Sequence, residues 1–368
     1  MKNAGMKVRE DAVGNIIGRY EAEELGKPAL MIGSHLDSVV MAGKYDGPLG
    51  VLSGIAVVES LHSKGVRLPI AIEVIGFADE EGVRFKSTYL GSRAVAGTFD
   101  EDLLDVQDRD GITMREAFVK FGLNPAEINS AARLKDDILG YIELHIEQGP
   151  VLEEKDVSVG VVSVISGATR LLVSLKGDAG HAGTVPMMLR KDALTAASEC
   201  ILVAEREAKS ARNVVATVGQ LTVRPGATNV IPGNVQFTLD VRAPEDSKRK
   251  DVTLKIEKKF NKIVRKRKLT VDIKIVHEAK SAHCCNNLIS IIEKVIKEFR
   301  LPVVKLPSGA GHDAAAMADL VPVGMVFVRC KGGISHNPAE EISEEDALVG
   351  IDSLSKVVRR IAEVYSNK

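Results

Sequence analysis

Short apolar runs alternate with amphipathic stretches through the first half of the chain. Ala29 to Ser34 is apolar and breaks into a polar loop at His35. Gly47 to Lys64 has helical spacing, with Val51, Ile55, Val58 and Leu61 on one face. Ile70 to Ala78 reads as a buried strand closing on Asp79-Glu80-Glu81, and Ile142 to Ile146 as a short strand carrying His145. Alternation of this kind predicts an α/β unit with a largely parallel sheet and helices on both faces. In such sheets, sites gather at the carboxyl ends of strands, where His35, Glu80 and Glu81 fall.

The rhythm changes between about Gly167 and Ser281. Thr169 to Lys176 alternates as a strand, and Leu189 to Ala208 reads as a helix. Asn213 to Val223 and Asn234 to Arg242 read as strands around the turn chemistry of PGATNVIPG. Asp246 to Lys266 is a charged amphipathic helix, and Thr270 to His277 a last strand. The order βαββαβ is the ferredoxin-like plan. Helix at Leu288 to Phe299, strand at Val323 to Val328 and helix at Glu344 to Tyr365 then resume the α/β pattern. The expectation is a discontinuous catalytic domain, residues 1–166 and 282–368, interrupted by an inserted domain, 167–281. The length of 368 residues also exceeds what one compact core serves.

Composition narrows the functional classes. Lys plus Arg number 49 against 50 Asp plus Glu, so no long-range field selects nucleic acid or an anionic membrane. Trp is absent and aromatics make up 4%, which argues against base-stacking surfaces. The basic run Lys258 to Lys268 reads as a solvated helix end. There is no apolar run of about 18 residues to span a membrane. MKNAGMKVRE lacks an apolar signal core, so a cytoplasmic protein is expected. Cys200, Cys284, Cys285 and Cys330 have no metal-site or disulfide spacing and read as reduced, mostly buried thiols.

The chemistry lies in scattered polar segments. His35 and Asp37 form H-x-D in GSHLDSV, and Asp46 follows in GKYDG. Glu80 and Glu81 close an apolar strand, His145 sits in ELHIEQGP, and His336 in GGISHNPAEE. Neutral imidazoles with carboxylates are the ligand set of a Zn²⁺ or Mn²⁺ pair, and an acid left over serves as base toward water. Each segment alone is weak, since a lone strand histidine is more often a core residue and a bare Asp-Gly is usually a turn. Of the two adjacent glutamates, one is expected on metal and the other facing water. Asp37 is expected to orient His35, as carboxylates commonly do for ligating imidazoles. His181, between Gly180 and Gly183, suits an oxyanion donor, and Arg242 suits bidentate capture of a carboxylate. His62, His277 and His283 read as structural. The competing reading is a metal-binding module without catalysis, and an unligated Glu80 argues against it.

GSHLDSV, GKYDGPLGVLSG, FADEEGVRF, LGSRAVAG, ELHIEQGPVLE, GHAGTVPM, TNVIPG, SGAGHDA and GGISHNPAE occur in one order across almost the whole chain. Together they resemble the dinuclear-metal amidohydrolases that include allantoate amidohydrolase and N-carbamoyl-L-amino acid hydrolase, related to aminoacylase and carboxypeptidase G. FADEEGVRFKSTYLGSRAVAG and MVFVRCKGGISHNPAE look most like the allantoate branch. The resemblance implies a mixed-sheet α/β metallohydrolase domain with an inserted ferredoxin-like α+β domain that serves as lid and homodimer contact. It implies two divalent ions, Zn or Mn. His35 and His145 would share one, Glu81 and His336 the other, with Asp46 bridging. Glu80 would be the general base and then acid, and His181 the oxyanion donor, reached across the dimer. Asn229 and Arg242 would hold the substrate carboxylate, with Gln148 and the backbone near Gly311 completing the pocket. The implied reaction is hydrolysis of a ureido C–N bond, allantoate giving ureidoglycine, ammonia and carbon dioxide in purine breakdown. The alternatives are an N-carbamoyl-L-amino acid hydrolase and a dipeptidase or aminoacylase. Members carry a further helical stretch ahead of the segment matching VREDAVGNIIGRY. Only Met1 to Lys7 precede it here, so exposed apolar surface is expected on that flank of the sheet.

Overall fold

The computed structural model describes residues 1–366. The chain forms two compact units, one from Met1–Ile165 with the segment from His283 onward, the other from Ser166–Ala282.

The first unit is built on a nine-stranded mixed sheet. Its strands are β1 (Lys7–Glu10), β2 (Ile16–Tyr20), β3 (Ala29–His35), β4 (Ala71–Phe77), β5 (Ile138–Ile146) and β6 (Val159–Ile165). The sheet is completed after the second unit, whose strands are β7 (Gly167–Lys176), β8 (Gly180–His181), β9 (Val215–Thr217), β10 (Leu221–Arg224), β11 (Val230–Ile231), β12 (Asn234–Ala243) and β13 (Thr270–Ala279). The returning strands are β14 (Ala282–His283), β15 (Lys305–Ser308) and β16 (Val323–Val328). The order is β1-β2-β4-β3-β5-β16-β6-β14, with β15 on β6. At its centre β4, β3, β5 and β16 run parallel, so their carboxyl ends lie on one side. These strands read as continuous apolar runs because helices cover them on both faces. Helix α1 (Pro48–Ser63) packs on β3, β4 and β5. Further on come α2 (Leu90–Val95), α3 (Met114–Phe121) and α4 (Val151–Glu154).

The second unit carries α5 (Ala193–Ser210) and α6 (Asp246–Lys266) against a sheet of order β10-β12-β7-β13. All its strand pairs are antiparallel, which is the ferredoxin-like arrangement. Leu171, Val173, Leu239, Ile256 and Phe260 form its core. The stretch read as one strand from Asn213 to Val223 is two short strands, β9 and β10, because Gly219 and Gln220 interrupt the ladder on β12. The first unit resumes with α7 (Asn286–Glu298), α8 (Asp313–Met317) and α9 (Glu344–Ser366).

Beside the β1–β2 hairpin, Phe121 of α3 is largely exposed on a mostly apolar cavity of about 480 Å³ also lined by Leu36, Phe77, Phe85 and Phe118. The four cysteines are free, and three of them are buried. Among the described residues no helix is long and apolar enough to cross a membrane.

Candidate metal centre

Four parallel strand ends deliver the cluster. His35 is the last residue of β3, Glu80 and Glu81 follow β4, His145 is next to last in β5, and His336 lies in the loop after β16. Asp46 comes from the loop between β3 and α1. Two glycines let that loop close. Gly47 has φ 83°, and a Cβ on it would sit 2.4 Å from His35 Nδ1. On Gly50, a Cβ would come within 2.4 Å of the Leu144 carbonyl oxygen. The first turn of α1, opened by Pro48 where a missing N–H costs nothing, therefore lies directly on the strand ends.

Asp46, 3% exposed, is the centre of the arrangement. Its Oδ1 lies 3.5 Å from His35 Nε2 and 3.1 Å from His145 Nε2. Its Oδ2 lies 3.0 Å from His336 Nε2, and that same nitrogen is 3.5 Å from Glu81 Oε1. One ligand atom each from His35, Asp46 and His145 falls within 4.8 Å of the others, as does one each from Asp46, Glu81 and His336. The two carboxylate oxygens thus face two separate sets, in the pairing expected from the resemblance.

The donors fit divalent ions. His145 Nδ1 donates to the Ile146 carbonyl at 2.9 Å, and His35 Nδ1 to the Asp37 carbonyl at 2.8 Å. Neutral rings held this way turn an Nε2 lone pair toward Asp46 Oδ1. Lone pairs facing a carboxylate oxygen repel unless a cation lies between them. His145 Nε2 and Glu81 Oε1 are buried without a hydrogen-bond partner. His35 is pushed well above its usual pKa: burial opposes this, but the Asp46 and Glu80 carboxylates prevail. Burial likewise opposes ionisation of Asp46, yet the surrounding imidazoles hold its carboxyl far below the usual range. His and carboxylate donors that together demand positive charge form a candidate site for a divalent cation.

Glu80 is 6% exposed, and one of its oxygens lies within 4.8 Å of His35 and Glu81 donor atoms. It belongs to neither set that Asp46 joins. Burial raises its carboxyl well above the usual range, the Asp313 and Glu81 charges add to this, and His35 opposes.

The role expected of Asp37 changes form. Its carboxylate is 3.7 Å from His35 Nδ1, and the contact that orients the ring is its main-chain carbonyl. The Asp37 carboxylate instead accepts the Glu80 and Glu81 backbone N–H groups at 3.0 Å each. Asp79 has φ 52°, a left-handed turn that Asp tolerates, and it presents both donors to Asp37. Asp37 therefore fixes the main chain at Glu80 and Glu81. Gln148, also at positive φ, donates from Nε2 to Asp46 Oδ2 at 2.9 Å, so it borders the cluster itself. Gly311 lies before α8, where a Cβ would sit 1.8 Å from Tyr89 Oη. Tyr89 in turn donates its N–H to the Glu80 carbonyl.

His181, Asn229 and Arg242 belong to the second unit. His181 pairs with Val230 across β8 and β11, and the Ala182 N–H donates to the Asn229 carbonyl at 2.9 Å, so these two residues are neighbours. Arg242 is not with them. It sits opposite Ala168 at one end of the β7–β12 ladder, and the ladder reaches Asn234 opposite Lys176 before it leads on to β8 and β11. At about 3.4 Å per residue that is ~27 Å of strand. Arg242 Nε and Nη2 meanwhile pair with Asp240 at 2.9 and 3.0 Å.

Sequence reasoning passed over four buried groups beside the cluster. Glu143 Oε1 accepts from Ser34 Oγ at 2.8 Å and Oε2 from the Ala314 N–H at 3.0 Å. His312 sets its ring edge-on to His145, with centroids 4.5 Å apart. Asp313 accepts from Ser92 Oγ. Glu340 holds the Asp46 loop. The signal was present: each lies within or beside a segment quoted for the resemblance, and Glu143 shares the His145 face of its strand.

Comparison with known proteins agrees with this geometry. The chain is 42% identical over 363 residues to an N-carbamoyl-L-amino acid amidohydrolase of Geobacillus stearothermophilus, covering 99% of this chain and 89% of that one. It is also 42% identical over 378 residues to an allantoate deiminase of Arabidopsis thaliana, covering 94% and 72%. The solved structure of an amidase of the hydantoinase/carbamoylase family from Burkholderia multivorans superposes with a TM-score of 0.91 at 33% identity, covering 98% of this chain and 87% of that one. The sequence profile of Peptidase family M20/M25/M40 matches residues 31–360, from β3 into α9 and through every strand end that feeds the cluster, and the chain belongs to that family.

Proposed function

We propose that the chain hydrolyses a ureido or carbamoyl C–N bond in a small carboxylate substrate, with allantoate as the favoured substrate and an N-carbamoyl-L-amino acid as the alternative. The observation that carries this is Glu80: a buried, abnormally basic carboxylate beside two facing ligand sets and outside both. When bound, two divalent ions acidify water and offset developing negative charge. Glu80 takes the proton from that water. The oxygen adds to the ureido carbon, and a hydrogen bond from His181 meets the oxyanion. Glu80 then returns the proton to the departing nitrogen as its bond to the ureido carbon breaks, and the carbamate left behind loses carbon dioxide, so that allantoate and one water yield ureidoglycine, ammonia and carbon dioxide. Sequence relatives with both substrate names stand at equal identity. Metal-stripped protein reconstituted separately with Zn²⁺ and Mn²⁺ is expected to release ammonia from allantoate faster than it cleaves N-carbamoyl amino acids. Faster cleavage of the carbamoyl compounds reverses the substrate order, and turnover of peptides alone removes the proposal.

The second unit adds a constraint of its own. Residues ~27 Å apart along one strand ladder do not hold one small molecule, so His181 with Asn229 and Arg242 serve one substrate only from two copies of the chain. The proposed enzyme is therefore a homodimer, with His181 acting across it. Co-expressing Glu80→Gln with His181→Ala, each inactive alone, is expected to restore about a quarter of wild-type activity, from the one intact site in each mixed dimer. No recovery in a mixture shown to contain mixed dimers places His181 in its own chain's site.

A further inference from the structure

We propose that Glu340 is the positioning residue of the metal centre: it locks the Asp46 loop and the His336 loop into one register, so that both bridging oxygens face their ligand sets before any ion arrives. This rests on the reading of Asp46 and His336 as metal ligands.

Glu340 lies four residues beyond His336 and is 4% exposed. Its Oε1 accepts the Tyr45 N–H at 2.8 Å and the Asp46 N–H at 3.1 Å. Its Oε2 accepts from Ser335 Oγ at 2.9 Å, and the same hydroxyl lies 3.0 Å from Asp46 Oδ2. One carboxylate thus grips the main chain of Asp46 directly, and the Ser335 hydroxyl between the two side chains has one proton to give, to Glu340 or to Asp46. Ser335 immediately precedes His336, so the hydroxyl lying between Glu340 and Asp46 also ties down the backbone that carries the imidazole. The two loops are almost three hundred positions apart in sequence, and this carboxylate stitches them together.

The local sequence is arranged for the contact. A Cβ on Gly43 would lie 2.3 Å from Glu340 Cβ, Cδ and Oε1, so only glycine lets the loop approach so closely. Across the Asn337-Pro338 turn, the Glu340 N–H returns to the Asn337 carbonyl at 3.0 Å and the Ala339 N–H meets Asn337 Oδ1 at 2.9 Å. That turn folds Glu340 back toward the loop that His336, at φ 54°, has just left. An ion held by Asp46 Oδ2, Glu81 and His336 needs both loops at once, whereas His35 and His145 stand on strand ends that the sheet already fixes. The loss on cutting this link therefore falls hardest on the Oδ2 side, which depends on both loops, and less on the Oδ1 side, which depends on one.

The test is calorimetric titration of metal-stripped full-length protein with Zn²⁺, alongside the thermal midpoint of the metal-free state. Glu340→Ala is expected to weaken one of the two binding steps by about 10–100-fold, the usual effect of removing a group that orients a ligand, and to weaken the other less. Glu340→Gln keeps an acceptor for both N–H groups and is expected to stay near wild type. Ser335→Ala, which removes only the bridging hydroxyl, falls between them. The proposal is overturned if Glu340→Ala binds both ions like wild type, or if Glu340→Gln falls as far as Glu340→Ala, which makes charge rather than hydrogen bonding the cause. Asp46→Ala run beside them separates the two questions. Wild-type binding by that variant removes the metal reading itself, whereas its loss with an unaffected Glu340→Ala removes only the role of Glu340.

Discussion

Glu80→Gln is expected to keep its metal and to lose about 10²–10⁴-fold in turnover, the usual share of a positioned acid–base group. The amide is nearly isosteric, and the Glu80 main chain stays fixed by its N–H bond to Asp37, so neither the turn nor Glu81 needs to move. What disappears is the ability to accept a proton. Burial is the largest reason that this carboxyl is more basic than one in water, and a stronger base takes more of the proton's charge as water attacks. Metal content by atomic emission and single-turnover rates decide the matter. Near-normal turnover, or loss of an ion, removes Glu80 from the role of base.

Asp46→Ala is expected to have the larger effect on the site, because two ligand sets lose a member at once. His35 and His145 converge on Oδ1, while His336 approaches Oδ2. Two neutral imidazoles alone make a poor site, and the Glu81 side keeps only one carboxylate and one ring. Dialysed protein should therefore carry neither ion at stoichiometric level, and turnover should fall at least as far as in Glu80→Gln. The far-ultraviolet circular dichroism should stay unchanged, since the strands under the loop are buried along almost all of their length. Two ions retained per chain after dialysis would mean that the arrangement seen around Asp46 is not what holds them.

How much of this was legible in the sequence depended on where each residue stands. β3, β4 and β16 are short apolar runs with abrupt polar ends, and their limits agree with the periodicity to within a residue or so. The candidate ligands His35 and Glu81 follow from that reading, because they stand at or just past the polar ends of buried strands. The β1–β2 hairpin at the edge of the sheet was missed, since β1 is largely exposed and carries no apolar run, as the pattern of Lys7–Glu10 makes plain. Asp37 illustrates a second limit. H-x-D suggested carboxylate against imidazole, but the left-handed turn at Asp79 turns two N–H groups toward that carboxylate, and φ at a single aspartate is not written in side-chain patterning. Arg242 illustrates a third. The resemblance implied a role shared with Asn229, while the register of β12 on β7 sets Arg242 at the far end of the ladder from the turn that carries Asn229.

The position of β16 carries a consequence for how the molecule is made. It lies between β5 and β6, strands whose sequences end long before Val323 is synthesised. While the ribosome is still producing the inserted unit, those two neighbours have no partner to join them, and each offers a bare, apolar margin to any other extended segment nearby. The central slot closes only when the late strand slides in, and the loop bearing the last imidazole emerges just behind it. A nascent polypeptide therefore spends most of its synthesis unable to hold its cations, and it is during this interval that a chaperone has most to shield.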